Sequence, residues 1–316
     1  MTHHFTDQLA AAVRRLGSPV VVGLDPRWEQ LPESLRSGGD DSYPSQAWSF
    51  ATFCNGVVDV VASLVPAVKI QAAFFEELGP AGMTAMAEVI SHAQHRGLLV
   101  ILDGKRSDVG STAVAYARGY LGRGESAWHA DALTVSPYLG DDSLTPFVDV
   151  ALERGCGVFV LVKTSNPGSG MLQDLVADGK KLYRRVGKHV ERLAVETIGE
   201  CGYGSVGAVV GATFPEQLAE LRGAMPSTWF LVPGFGSQGG TAADVAAAFD
   251  PSGQGAIVNN SRGIIFAHTR GEYAQKFGSA RWQEAVEAAT QEMIEQLRSA
   301  VRGLASGALR TGHSND

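Results

Sequence analysis

The chain has 316 residues, 45% of them hydrophobic, so it is long enough to bury a large core. Its 33 acidic and 26 basic residues give a formal net charge of −7, which argues against a broad surface for nucleic acid or an anionic membrane. Three widely spaced cysteines, no apolar run of bilayer length and no recognisable signal peptide together predict a cytoplasmic protein.

Short runs of apolar and β-branched residues alternate along the chain with segments of helical periodicity. Helices are predicted between the runs, for example over 84–96 and 181–200, and a final amphipathic helix is predicted over 281–304. The eight runs predicted as strands are 19–25, 64–71, 97–105, 132–137, 157–165, 207–212, 229–236 and 255–262.

Eight strand–helix units favour an α/β fold, a (β/α)8 TIM barrel, formed by one domain over residues 1–316. A doubly wound open sheet would give nearly the same local pattern and is the alternative. Two segments, 34–46 and 119–131, exceed ordinary connections and are interpreted as insertions. No linker-like change of composition divides the chain.

Charged side chains close the first three predicted strands. Asp25 ends the first strand, Lys69 lies near the end of the second, and Asp103 and Lys105 end the third. In a barrel these ends meet at one mouth, where enzymes of this fold place their active sites. Because Asp103 and Lys105 are two residues apart on a strand, they are expected to share a face.

Each of these residues also has an ordinary structural interpretation. Asp25 could cap a turn before the following proline, and the side chain of Lys69 could extend along the core to water. The third-strand cluster is different, because Asp103, Lys105 and Asp108 would be costly to bury without a function. Asp108 lies past the strand and is predicted to share a helical face with Thr112.

A glycine-rich segment, VPGFGSQGG, covers residues 232–240 after the seventh predicted strand. Phosphate sites of barrels commonly lie in the loops after strands 7 and 8, and glycines allow the backbone to approach an anion. Arg262, at the end of the eighth strand, offers a guanidinium for the same phosphate. The alternative is that these glycines only form turns.

Taken in order, these motifs resemble orotidine 5′-phosphate decarboxylase, in its longer bacterial and actinobacterial-type branch. The resemblance runs from about residue 18 to residue 268. It is carried by GLDP, VKIQAAFFE, the D-x-K-x-x-D pattern of DGKRSD, KTSNPGSG, PGFGSQGG and NNSRGI.

The resemblance implies decarboxylation of orotidine 5′-monophosphate to UMP without a metal or organic cofactor, and Lys105 as the proton donor to C6. It implies that the catalytic residues are Lys69, Asp103, Lys105 and, from a neighbouring subunit, Asp108. It implies that the substrate-binding residues are Asp25, Thr112, Ser165, Gln238, Gly239, Arg262 and Gly263. Pro137 and Tyr138 match a strand-4 motif of the same branch, but no role follows for them.

The resemblance further implies a homodimer with shared active sites and a nucleotide substrate. Two other functions are weighed against it. One is a sister enzyme that decarboxylates or condenses sugar phosphates with Mg²⁺, which has an acid where this chain has Lys69. The other is a barrel that binds a phosphorylated ligand without catalysis, which the intact charged cluster disfavours.

Overall fold

Eight parallel strands, formed by the valine-, leucine- and isoleucine-rich runs, close into a barrel in a computed structural model that describes residues 4–36, 41–236 and 239–304. The strands are β1 Val20–Leu24, β2 Ala67–Gln71, β3 Leu99–Arg106, β4 Ala132–Val135, β5 Gly157–Lys163, β6 Val206–Val210, β7 Phe230–Val232 and β8 Ala256–Asn260.

Closure is completed where β1 pairs with both β2 and β8. An open doubly wound sheet would leave two strand edges unpaired, so the predicted barrel is confirmed and the open sheet is excluded. Side chains on both faces of the strands are buried, by the barrel interior on one side and by helices on the other. This explains why the strands read as apolar runs and not as alternating patterns.

Helices surround the barrel, and each predicted helix is present with shifted bounds. The helix predicted over 84–96 begins earlier and the one over 181–200 ends earlier, because the chain turns through Gly199 and Gly202. The α-helices are Phe5–Leu16, Glu33–Arg36, Tyr43–Val61, Ala72–Glu76, Gly79–His95, Gly110–Tyr120, Thr145–Glu153, Gly170–Gln173, Leu182–Val195, Pro215–Ala224, Ala242–Ala246, Arg262–Ile265, Gly271–Lys276 and Trp282–Ala300.

Smaller elements complete the connections. Among the described residues, three 3-10 turns cover Trp28–Gln30, Pro167–Ser169 and Ala267–Thr269, and an antiparallel hairpin joins Val176–Ala177 to Lys180–Lys181. Within the described ranges no helix is both long and apolar enough to cross a bilayer.

The final helix, predicted over 281–304, runs from Trp282 to Ala300 and packs on the barrel. The ring centroid of Trp282 lies 5.0 Å from that of Phe53. Phe53 in turn stacks on Phe266, with 5.6 Å between the ring centroids. This aromatic contact joins the end of the chain to the helix Tyr43–Val61 and to the segment after β8, so the last helix belongs to the layer that covers the barrel.

The two predicted insertions lie between barrel elements. In 34–46, residues 37–40 lie outside the described ranges, and Ser42 caps the helix Tyr43–Val61 by accepting from the Ser45 amide. In 119–131, the Arg123 guanidinium binds both carboxylate oxygens of Asp131, at 2.6 and 3.0 Å. Asp131 Oδ2 also accepts from the Val100 amide at 2.8 Å, which ties the second segment to β3.

Candidate active site

A cavity of about 570 Å³ opens at the carboxyl ends of the barrel strands. Its polar wall combines charged residues at the ends of the first three strands, neutral residues from the fourth, fifth and eighth, and an arginine after the eighth. The polar lining consists of Asp25, Arg27, Lys69, Gln71, Asp103, Lys105, Thr134, Thr164, Ser165, Asn166, Gln173, Asn259, Asn260, Ser261 and Arg262.

The carboxylate of Asp103 is the centre of this wall. Its Oδ2 accepts from Lys69 Nζ at 2.8 Å and from Gln71 Nε2 at 3.1 Å. Its Oδ1 accepts from Lys105 Nζ at 2.7 Å and from Thr134 Oγ1 at 2.8 Å. Four donors therefore occupy the lone-pair positions that a carboxylate offers.

The charges are held in their ionised forms. Burial alone would raise the pKa of Asp103, but the positive charges of Lys69 and Lys105 outweigh it and hold that pKa far below its usual range. For Lys69 the effects are reversed in sign. Burial alone would lower its pKa, but the negative charges of Asp103 and Asp25 outweigh burial and raise that pKa. The cavity thus contains a fixed lysine–aspartate–lysine sequence of charges at neutral pH.

Lys105 takes its position through an irregular backbone. Its φ is +46°, in the left-handed region, and the pairing of β3 with β4 shifts register between Leu102 and Arg106. The Lys105 amide donates to Thr134 Oγ1 at 3.0 Å, which supports this conformation. Asp103 and Lys105 meet as predicted, although the strand is not regular there, and the side chain of Lys105 is 47% exposed to the cavity and solvent.

Asp25 and Lys69 both line the cavity, and neither has the ordinary structural position described above. Lys69 does not extend to water: its side chain is 6% exposed, and Nζ lies 3.8 Å from Asp25 Oδ1 as well as beside Asp103. Asp25 does not cap the following 3-10 turn, Trp28–Gln30, because Arg27 occupies the capping position. The buried Asp25 Oδ1 accepts no hydrogen bond from the described residues, so it is available to a hydroxyl donor in the cavity.

The neutral wall follows β5. Ser165 lines the cavity, and its carbonyl accepts from Thr213 Oγ1 at 3.3 Å. Thr164 and Gln173 bond each other twice: the Thr164 amide donates to Gln173 Oε1 at 3.0 Å, and Gln173 Nε2 donates to Thr164 Oγ1 at 2.8 Å. A Cβ at Gly211 would lie 2.8 Å from Ser165, so only glycine permits this approach.

At the opposite side, Arg262 lines the cavity after β8. Gln238, the other predicted phosphate contact with a side chain, lies outside the described residues. The amides of Gly239 and Gly263 are already bonded within the protein, to the Gly236 carbonyl at 2.9 Å and to Asn260 Oδ1 at 3.2 Å. A phosphate would have to exchange with these bonds in order to use either amide.

A second arginine adds positive charge near this side. Burial and then repulsion from Arg262 lower the pKa of Arg270, so the two guanidinium groups are close enough to interact. Thr241 and Asp244 already cap the amino end of the short helix Ala242–Ala246, which follows the glycine-rich segment. Positive charge here therefore comes from arginine more than from a helix terminus.

Asp108 and Thr112 do not line the cavity of this chain. Asp108 precedes the helix Gly110–Tyr120, and its Oδ1 accepts from the Val109 amide at 2.8 Å. The prediction that the two residues share a helical face is wrong, because the helix begins at Gly110. Arg106 also lies outside the cavity, where it bonds Glu76 and Tyr120.

Four further residues line the cavity that were not predicted as site residues from the sequence: Gln71, Thr134, Gln173 and Asn259. Two signals were available: Gln71 lies two residues after Lys69 on the same strand, and Thr134 is a polar residue within an apolar strand. Asn259 Oδ1 is buried and accepts no hydrogen bond within the described part of the chain, as expected for an atom that faces a ligand or water. Gln173 is far from the strand ends in sequence and gave no such signal.

Comparison with known proteins identifies the family. A family model described as "Orotidine 5′-phosphate decarboxylase / HUMPS family" matches residues 18–277. A Rhodopirellula baltica protein named orotidine 5′-phosphate decarboxylase is 58% identical over 298 residues, which are 93% of this chain and 99% of the relative. The chain belongs to this family.

Two further members of the orotidine 5′-phosphate decarboxylase family extend the comparison. A protein of that name from Deinococcus radiodurans is 42% identical over 84% of this chain and 91% of its own. The solved structure of Leishmania donovani OMP decarboxylase is 33% identical, with a TM-score of 0.72 over 94% of this chain and 98% of that chain. The family match contains every predicted site residue, from Asp25 to Gly263.

We expect Asp103→Asn to destabilise the folded protein by about 3–5 kcal/mol near pH 7, because Lys69 would remain buried without its main counter-ion. The depressed pKa of Asp103 contributes stability above the unfolded-state pKa of ~3.9, and that contribution is lost as pH falls through the lower folded-state pKa. Urea unfolding should therefore show a constant difference from wild type above about pH 5, which shrinks below about pH 4.

The exposed Asp149→Asn variant is the control and should unfold like wild type. An Asp103→Asn difference that stayed constant down to pH 2 would contradict the assignment of a depressed pKa.

Proposed function

We propose that this protein converts orotidine 5′-monophosphate to UMP and CO2 in pyrimidine biosynthesis. The observation that carries the proposal is the fixed lysine–aspartate–lysine array in the cavity of a chain from this family. Arg262, across the same cavity, supplies the charge that a 5′-phosphate requires.

The difficulty of the reaction lies in the electron pair that CO2 leaves behind. When the bond from C6 to the carboxyl carbon breaks, its electrons stay in the plane of the pyrimidine ring, where the ring cannot delocalise them. The ammonium of Lys105 stabilises this charge as it develops and then transfers a proton to C6. The products are UMP, CO2 and a neutral Lys105, which regains a proton from solvent.

The charge network, defined as Asp25, Lys69, Asp103 and Lys105, prepares Lys105 for this step. Asp103 holds Lys105 Nζ at 2.7 Å, and Lys69 on the other oxygen limits the rotation of the carboxylate. The charges are in place before substrate binds, so little reorganisation is needed when negative charge appears at C6.

Binding roles follow from position in the cavity. Asp25, with its available oxygen, accepts from a ribose hydroxyl, and Ser165 on the neutral wall contacts the pyrimidine. Arg262 lines the cavity and binds the phosphate. The phosphate roles of Gln238, Gly239 and Gly263 rest on the resemblance to the family and not on their position in the cavity. Energy gained at the phosphate, remote from C6, is available to order the site around the reacting atoms.

The sister enzymes that act on sugar phosphates with Mg²⁺ are the second candidate, because the family description includes more than one activity. Lys69 disfavours them: its ammonium occupies Asp103 Oδ2 at 2.8 Å, where a divalent ion would need a free carboxylate oxygen. The proposed reaction needs neither metal nor organic cofactor, since residue charges supply the stabilisation.

We further propose a homodimer in which Asp108 and Thr112 complete the active site of the partner. Both residues lie at the carboxyl side of β3, outside the cavity of their own chain. Exposed apolar side chains accompany them: Val109 is 48% exposed on the same segment, and Tyr138 is 74% exposed after β4. Such a surface suits an isologous contact.

The proposed setting is the cytoplasm, where cysteines stay reduced. Cys54, Cys156 and Cys201 are all free thiols in this structure, and the first two are buried. No role is assigned to Pro137. Tyr138 is assigned only to the exposed surface proposed for the dimer contact.

The decisive experiment is loss of pyrimidine absorbance when orotidine 5′-monophosphate is added in the presence of a metal chelator. Wild type should turn over, and Lys105→Ala should lose at least about three orders of magnitude in kcat, because both charge stabilisation and the proton donor are removed. Binding of UMP, measured by calorimetry, should be largely kept. Turnover of Lys105→Ala within tenfold of wild type would exclude Lys105 as the donor.

Arg262→Ala should weaken capture of the phosphorylated substrate, lowering kcat/KM by an amount equivalent to ~1.5–3 kcal/mol, the range for a lost hydrogen bond to a charged group. Steady-state kinetics at several substrate concentrations measures the change. An unchanged kcat/KM would show that the phosphate binds elsewhere.

The shared-site dimer predicts complementation between two inactive variants. Lys105→Ala and Asp108→Ala homodimers should both be nearly inactive, whereas a mixed dimer has one site with both lesions and one with neither. After random exchange about half the dimers are mixed, so activity should approach about a quarter of wild type. If exchange is verified and the mixture stays inactive, Asp108 serves its own chain.

A further inference from the structure

A completely buried cation lies behind the neutral wall of the cavity. Lys163, the last residue of β5, is 0% exposed, yet it does not line the cavity. Its Nζ donates to Asp174 Oδ2 at 2.9 Å and to Ser169 Oγ at 3.4 Å. The same nitrogen lies 4.6 Å from the ring centroid of Phe214 and 5.6 Å from that of Tyr183.

Asp174 joins three parts of the structure. It belongs to the segment after β5, residues 164–181, here named the β5 loop. Its Oδ2 accepts from Lys163, while its Oδ1 accepts at 3.4 Å from Lys181 and, also at 3.4 Å, from Gln217. The hydrogen bond from Lys163 is the largest influence on the carboxyl and holds the pKa of Asp174 below its usual value. Asp174 thus ties the β5 loop to the barrel and to the helix Pro215–Ala224.

The ion pair lies next in sequence to the paired residues of the neutral wall. Lys163 bonds Asp174. Thr164, the residue after Lys163, bonds Gln173, the residue before Asp174. Thr164 and Gln173 face the cavity, whereas Lys163 and Asp174 lie behind them. Displacement of the rear pair would therefore move the front pair and the adjacent Ser165.

Stability alone does not explain why a lysine stands at this position. Removing an ammonium from water carries a large desolvation penalty, and a buried ion pair is often no more stabilising than apolar residues of similar size. Such pairs can instead fix one arrangement among several, because a displaced carboxylate would leave the buried charge unpaired. The observed contacts fit that purpose, since one carboxylate sets the position of a loop.

We propose that the Lys163–Asp174 ion pair positions the wall formed by Thr164, Ser165 and Gln173, and that Gln173 helps this wall recognise the pyrimidine of the bound nucleotide. The proposal deepens the decarboxylase function and rests on it. Gln173 keeps one N–H and one acceptor lone pair beyond its bonds to Thr164, which suits the alternating carbonyl and N–H edge of a pyrimidine. Lys163 and Asp174 are positioning residues.

The test compares two ligands that differ by the base. UMP carries the pyrimidine, whereas ribose 5-phosphate presents only the groups assigned to Asp25 and Arg262. In Lys163→Met the carboxylate of Asp174 remains paired with Lys181, and its side chain is 30% exposed, so no buried charge is stranded. By calorimetry we expect UMP affinity to fall about tenfold and ribose 5-phosphate affinity to stay within about twofold, as for loss of one or two base contacts.

A matched control breaks another ion pair of the same loop. Asp178→Asn removes the partner of Arg185 at the hairpin, where the Asp178 side chain is 86% exposed, and should leave both affinities unchanged. A second variant, Gln173→Ala, should show the same selective loss for UMP without altering the buried pair. It tests the wall directly if Lys163→Met does not fold.

The outcomes separate the two proposals. Equal weakening of both ligands in Lys163→Met would indicate a general structural role and overturn the positioning role. Unchanged UMP affinity in Gln173→Ala would overturn base recognition by the wall. If wild type binds ribose 5-phosphate but binds UMP no more tightly and does not decarboxylate orotidine 5′-monophosphate, the decarboxylase function itself fails, and this inference fails with it.

Discussion

The two lysines at the mouth of the barrel, Lys69 and Lys105, are both held by one carboxylate, that of Asp103. Donors from β2, β3 and β4 converge on its two oxygens, so its position depends on three neighbouring strands being in register. Because Asp103 is buried, loss of any donor would leave a lone pair without compensation. The barrel is what makes this possible: closure fixes the register, and the register brings the donors together.

Charged and neutral polar groups lie in different parts of the cavity. Charges gather on the side of β1 to β3, neutral amides and hydroxyls lie after β5, and an arginine follows β8. In the ring order of strands, β5 lies across the barrel from β1, so a ligand between them meets different groups on each side. This separation allows the reacting carbon to experience a strong field while the rest of the ligand is recognised by hydrogen bonds.

Much of this arrangement could be predicted from the sequence. The eight apolar runs and the charges at their ends required only periodicity, and Asp25, Lys69, Asp103 and Lys105 do meet in one cavity. Gln173 could not be found in this way, because a loop and not a strand brings it to the site. The register shift in β3 and the start of the next helix at Gly110 also escaped prediction, since both depend on backbone angles that the pattern of apolar residues does not encode.

The backbone of Lys105 carries one more consequence. A residue with a side chain at φ +46° is strained, and this strain is present whether or not a ligand is bound. Glycine would adopt the same conformation without penalty, so a chain selected only for thermostability would tend to replace this lysine. Its presence marks a trade-off in which the folded state gives up some stability to aim an ammonium group. Consensus or stability-guided redesign of this barrel should therefore leave position 105 unchanged.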